Sequence, residues 1–160
     1  MTIEIKIDEL IRNIRSTFLD DISALPESAA ANQRTSGILQ EDEVERAVIN
    51  ADTQLRFNLE RFLSPSSATS ADNTRTLPAT KYSYELTGTS RRLSGKAALF
   101  ANYFHDTLKE LALLEILKPI AADLADIHGK YATARLLDIE KLIFTKRPPV
   151  ISYEDDNNQP

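Results

Sequence analysis

The chain has no cysteine and no tryptophan, one methionine and four glycines in 160 residues. Without cysteine there is no disulfide, no thiolate nucleophile and no Cys-ligated zinc or iron–sulfur site. Any catalysis would fall to carboxylates, hydroxyls, lysines or the two histidines. No apolar run approaches the roughly 18 residues of a bilayer-spanning helix, so no membrane partner is expected. The opening residues 1–8 interleave charges with isoleucines, unlike the basic-then-apolar order of a secretory signal, and point to a cytoplasmic protein.

A broad basic field is lacking too. The net charge is −5, with seven basic and twelve acidic side chains in residues 1–63, five basic and two acidic in 64–100, and three acids and no base in 148–160. Specific nucleic-acid binding is therefore not expected, because the positive field that supplies sequence-independent affinity is missing. What is present is apolar mass, at 42% of positions, enough for one domain to build a core without a metal or disulfide staple.

Ile7, Leu10, Ile11, Ile14, Phe18, Ile22 and Leu25 recur at spacings of three and four, predicting a helix that starts near an Asp8 cap and ends at Pro26. Ahead of it, Ile3, Ile5 and Ile7 alternate with polar residues, as a strand-like arm or a frayed first turn does. Residues 26–40 read as a connection. Acids at Glu41, Asp42, Glu43 and Glu45 then open a second helix, with Val44, Val48, Ala51, Leu55, Leu59 and Phe62 as its buried stripe.

Residues 64–80 are polar, hold two prolines and predict a long flexible loop. Residues 81–86 alternate aromatic or apolar with polar side chains, a short strand with no obvious partner nearby. The strongest helical pattern follows: Leu93, Ala97, Phe100, Ala101, Phe104, Leu108, Leu111, Ala112 and Ile116, stopping before Pro119. Ile120, Leu124, Ile127, Tyr131, Ala134, Leu137 and Leu142 predict the buried stripe of a fourth helix, closed by Pro148-Pro149. The expected fold is all-α: four amphipathic helices in a bundle, a long polar loop, a short strand or hairpin and extended termini, about 60% or more helical. Residues 1–149 form the single helical domain and 150–160 an extended acidic tail.

No motif for chemistry stands out. His105 has Ala101, Asn102, Leu108 and Lys109 at helical offsets, and His128 has Leu124, Ala125, Tyr131 and Ala132, so neither builds a local metal or acid–base site. No serine sits in Gly-x-Ser-x-Gly, and the stretch 88–95 lacks the Gly-Lys-Ser/Thr ending of a phosphate loop. The acids at 41–45 and 154–156 lack the alternating ligands and central glycine of a calcium loop. No catalytic, metal or cofactor-binding residue is assigned, and no enzymatic activity is expected. Val150, Ile151 and Tyr153 after the two prolines, and Ile3 and Ile5 at the other end, are the candidate apolar anchors for partners. Arg91 and Arg92, beside Lys96, are candidate surface contacts.

The helix over 41–62, the loop and 81–86 segment, the helix over 91–117 and the ending Lys146-Arg-Pro-Pro-Val-Ile151 together resemble the head-to-tail connector proteins of tailed bacteriophages. The resemblance is one of element pattern. It implies a virion structural protein whose subunits form a homo-oligomeric ring between portal and tail, with those proteins as partners, in the host cytoplasm during assembly and then in the virion. The alternative is a stand-alone bacterial helical-bundle adaptor or regulatory module.

Overall fold

A computed structural model describes residues 1–25, 39–68, 76–87, 93 and 95–144. Helices take up 74% of these residues, with one two-stranded sheet. Strand β1 (Thr2–Lys6) leads without a break into helix α1 (Ile7–Ser23). Helix α2 (Glu41–Asn58), the one-turn helix α3 (Pro65–Ala68), strand β2 (Lys81–Glu85), helix α4 (Ala97–Leu117) and helix α5 (Ala122–Phe144) follow.

The two alternating segments that the sequence offers singly turn out to be each other's partners. β1 and β2 pair antiparallel, with Ile3 opposite Tyr84 and Ile5 opposite Tyr82. Both strands bury every second residue, so one face carries isoleucine and tyrosine into the core and the other carries Thr2, Glu4, Lys6, Lys81, Ser83 and Glu85 into solvent. Met1 and Leu86 extend the ladder, exchanging hydrogen bonds in both directions.

Helix α1 starts one residue before the expected Asp8 cap. Lys6 is the capping residue, in extended backbone and without a side-chain cap, and Asp8 and Glu9 lie in the first turn, where their charges favour the helix dipole. The helix expected to run to Phe62 ends at Asn58, and Glu60–Phe62 form a separate 3-10 turn that lets Leu63 bridge to Leu86. Part of the expected flexible loop is anchored as well. Ser64 donates its amide to the Glu85 carbonyl, and the Ser67 hydroxyl accepts the Glu85 amide, holding α3 against β2.

Helix α4 is the axis of the fold. It packs against α5, α2, β1 and α1. Phe100, Phe104, Leu108 and Leu111 are buried as their spacing predicts, joined by Leu113, Ile116 and Leu117 from the other sides of the same helix. A helix that is apolar nearly all round has to be surrounded, and this one is. Tyr84 of β2 meets Phe104 with ring centroids 5.1 Å apart, so the sheet caps the bundle through an aromatic contact. Among the described residues, no helix is long and apolar enough to cross a membrane.

Candidate interaction surface

Two buried polar clusters hold the helices in place. In the first, Tyr84 donates its hydroxyl to Asp52 Oδ1 at 2.7 Å, and Arg56, one turn along α2, donates Nε to both Asp52 oxygens at 2.9 and 3.0 Å. Its other nitrogens donate to the carbonyls of Ser67 and Ser83, and the guanidinium lies 4.5 Å above the Tyr84 ring. Burial, then the charge of Asp52 and the hydrogen bond to it, push the Tyr84 hydroxyl well above its usual range, with Arg56 opposing. Each of these groups is used by its neighbours, so the cluster ties α2, α3 and β2 together.

The second cluster is one that helical offsets could not reveal. His128 of α5 is buried, its Nδ1 donating to Glu110 of α4 and its Nε2 donating to Asp21 of α1 at 2.8 Å. The hydrogen bond to Glu110 raises the imidazole above the usual histidine range; burial opposes this, and the hydrogen bond to Asp21 and both carboxylate charges add to the rise. Burial alone would raise the Glu110 carboxyl, but the His128 bond, Lys109 and the His128 charge together hold it below the usual carboxylate range. Each ring nitrogen of His128 is engaged by a carboxylate, so the residue ties α5 to α4 and α1. Among the described residues no cluster of histidine and acidic side chains is placed to hold a metal ion. His105 is half-buried, and its Nε2 lies 3.2 Å from the Asn13 side-chain amide.

The outer face of α5 differs in kind. Of the predicted stripe, Ile127, Tyr131, Ala134 and Leu137 point outward while Ile120, Leu124 and Leu142 pack against the core, and the fully buried residues of this helix are Ala125, His128, Ala132 and Ile139. The physical reason is steric: α4 approaches along the line of small residues, where Gly129 sits close enough that a methyl group would already touch the Leu114 side chain, at 3.6 Å. Among the described residues, nothing covers the larger apolar side chains of this stretch. Ile127 is 42% exposed, Tyr131 57%, Leu137 49% and Phe144 54%, while Phe57 near the end of α2 is 77% exposed.

Charges and rings frame this surface. Tyr131 stands edge-on to the His128 ring, 6.4 Å between centroids. At the far end Phe144 packs edge-to-face on Phe62 at 5.0 Å, with Arg61 over both rings at 4.7 and 5.4 Å and bonded to Glu140 at 3.1 Å. Partly exposed aromatics beside an arginine are the composition that carries most binding energy in protein interfaces.

The candidate anchors fall differently. Ile3 and Ile5 are buried in the chain's own core, so they hold β1 in place and are not free to anchor a partner. Arg91, Arg92, Val150, Ile151 and Tyr153 lie outside the described residues. No family model matches the chain, and neither the curated proteins nor the solved structures give a match to it.

Proposed function

We propose that this chain is a structural protein–protein interaction subunit that assembles with its own copies through the outer face of α5. A single observation carries the reading: among the described residues, the large side chains Ile127, Tyr131, Leu137 and Phe144 of α5 stay 42–57% exposed, while Ala125, His128, Ala132 and Ile139 of the same helix are buried. A row of half-exposed large apolar side chains along one helix is a surface that gains by leaving water. The clusters around Asp52 and His128 support a non-enzymatic role, since their polar groups are all engaged in holding helices together.

In its finer form the proposal is the head-to-tail connector: a homo-oligomeric ring between portal and tail of a tailed-phage virion. The four-helix pattern and the uncovered face are what support it. Two tests separate the levels. Replacing Tyr131 and Leu137 with lysine should leave melting unchanged within the roughly 0.5 kcal/mol typical of surface positions while breaking the assembly. Electron micrographs of the native assembly should show closed rings that bind purified portal protein. A wild-type chain that sediments as a monomer rejects self-assembly, and an oligomer that ignores portal and tail proteins rejects the connector form alone.

A further inference from the structure

Among the described residues the two-stranded sheet has one partly covered edge, on β2, and one open edge, on β1. On β2 three outward-facing groups are taken: the Glu85 amide by Ser67, the Glu85 carbonyl by Ser64, and the Ser83 carbonyl by Arg56. On β1 the phase of the ladder follows from the Met1–Leu86 pair, which exchanges both its hydrogen bonds. Antiparallel bonds alternate, so Ile3 and Ile5 face β2, while the amides and carbonyls of Thr2 and Glu4 face away from it. Among the described residues these outward groups have no partner. An unpaired strand edge of this kind is a template for another strand.

The chain contains a second segment that shares three of five residues, Ser-Tyr-Glu, with the strand that β1 already pairs with. β2 reads Lys-Tyr-Ser-Tyr-Glu over residues 81–85, and residues 150–154 read Val-Ile-Ser-Tyr-Glu. Ser83, Tyr84 and Glu85 lie opposite Glu4, Ile3 and Thr2. We infer that residues 150–154 of a second copy add to the open edge of β1 as a third, antiparallel strand in the same register. Ser152 then stands opposite Glu4, Tyr153 opposite Ile3 and Ile151 opposite Ile5. The two apolar side chains join the isoleucine face, and Ser152 and Glu154 stay on the solvent face.

The position of the last described residue favours a neighbour's segment over the chain's own. Phe144 touches Phe62, whose carbonyl accepts the amide of Thr87, so α5 ends at the Met1–Leu86 end of the sheet and on the β2 side. Reaching the Lys6 end of β1's far edge means travelling about 14 Å along the strands and at least about 10 Å across them. The six steps from Phe144 to Val150 span roughly 20 Å when fully extended, which leaves almost no slack. Passing the segment to the next copy avoids that nearly fully extended path, and arms exchanged head-to-tail are a route to ring closure.

This inference rests on the self-assembly proposed above, and the absence of cysteine gives a clean test. Full-length chains carrying Glu4→Cys and Ser152→Cys separately are mixed, oxidised mildly and run on a non-reducing gel, with Lys6→Cys plus Ser152→Cys as the out-of-register control. The expected result is a disulfide-linked pair for the first mixture and little for the control. A chain carrying both Glu4→Cys and Ser152→Cys should give linked dimers and larger species; closed monomers alone would overturn the exchange between copies. Glu4→Pro removes an amide that faces away from β2, and Ile151→Asp with Tyr153→Asp changes residues of the arm alone. Each should abolish assembly with the helical spectrum kept, the arm variant deciding if the proline variant does not fold. Assembly retained by the arm variant, or no cross-link in an oligomeric preparation, rejects the arm and leaves the α5 reading standing. A monomeric wild type rejects both.

Discussion

Replacing His128 with leucine isolates the contribution of the buried clamp between α1, α4 and α5. Leucine fills nearly the same volume, so packing against Ala125 and Ala132 is kept while both hydrogen bonds are lost. Glu110, 8% exposed, then loses its principal donor and keeps only Lys109, whose Nζ lies 3.2 Å away. Removing one partner of a buried ion pair costs about 3–5 kcal/mol, and Lys109 places this case toward the lower end. For a chain of this size that is a fall in melting temperature of roughly 6–20 °C. Circular dichroism during thermal and urea unfolding at mildly acidic pH measures it directly.

The pH profile carries the sign of the same effect. The folded-state value of His128 is raised, so its stabilisation is complete below the unfolded value near 6.5 and fades as pH rises through the folded value. That of Glu110 is lowered, so its stabilisation is present above the ordinary carboxylate range and is lost as pH falls through the folded value. The gap between wild type and His128→Leu should be widest at about pH 5–6.5 and narrow on either side. A difference below about 0.5 kcal/mol across that window would refute the reasoning, because it would mean that Glu110 is as well solvated without His128 as with it.

Phe104→Ala, at a fully buried position on the central helix, should destabilise by about 3–5 kcal/mol in denaturant unfolding. Gly129→Ala should stabilise by about 0.5–1 kcal/mol, since its methyl meets Leu114 at an ordinary contact distance and the helix gains propensity, and a raised melting temperature checks it. Tyr84→Phe removes the hydroxyl that donates to Asp52 and should lower stability by about 1.5–3 kcal/mol in the same urea titrations, with the helical spectrum intact.

Periodicity located α1, α2, α4 and α5 and one core face of α4, because Phe100, Phe104, Leu108 and Leu111 recur at spacings of three and four, while Leu113 and Leu117, buried on its other sides, fall outside that stripe. Alternation likewise marked β1 and β2, but the pairing between them joins residues some eighty positions apart and leaves no trace in local spacing. Helix α5 misled the phase over residues 127–137, though not at Ile120, Leu124 or Leu142, for a specific reason. It carries a line of small residues beside a line of large ones, and the large line attracts the reading while α4 packs on the small line, where backbones approach most closely. The surroundings of His128 were out of reach for another reason: Asp21 and Glu110 come from two other helices, and neither has a spacing that marks it as inward-facing. The uncovered α5 face emerged only once the packing showed which stripe was spent.

Accessibility of a single thiol at the centre of that face tests its burial most directly. Ala134 is exposed, lies between Tyr131 and Leu137, and is small enough to become cysteine with little disturbance in a chain that has no other thiol. In the native preparation Ala134→Cys should react slowly with a thiol reagent, and adding Tyr131→Lys and Leu137→Lys should restore fast reaction at unchanged helicity. A thiol that reacts as fast in the native preparation as in the unfolded chain would contradict the claim that α5 is covered by another copy.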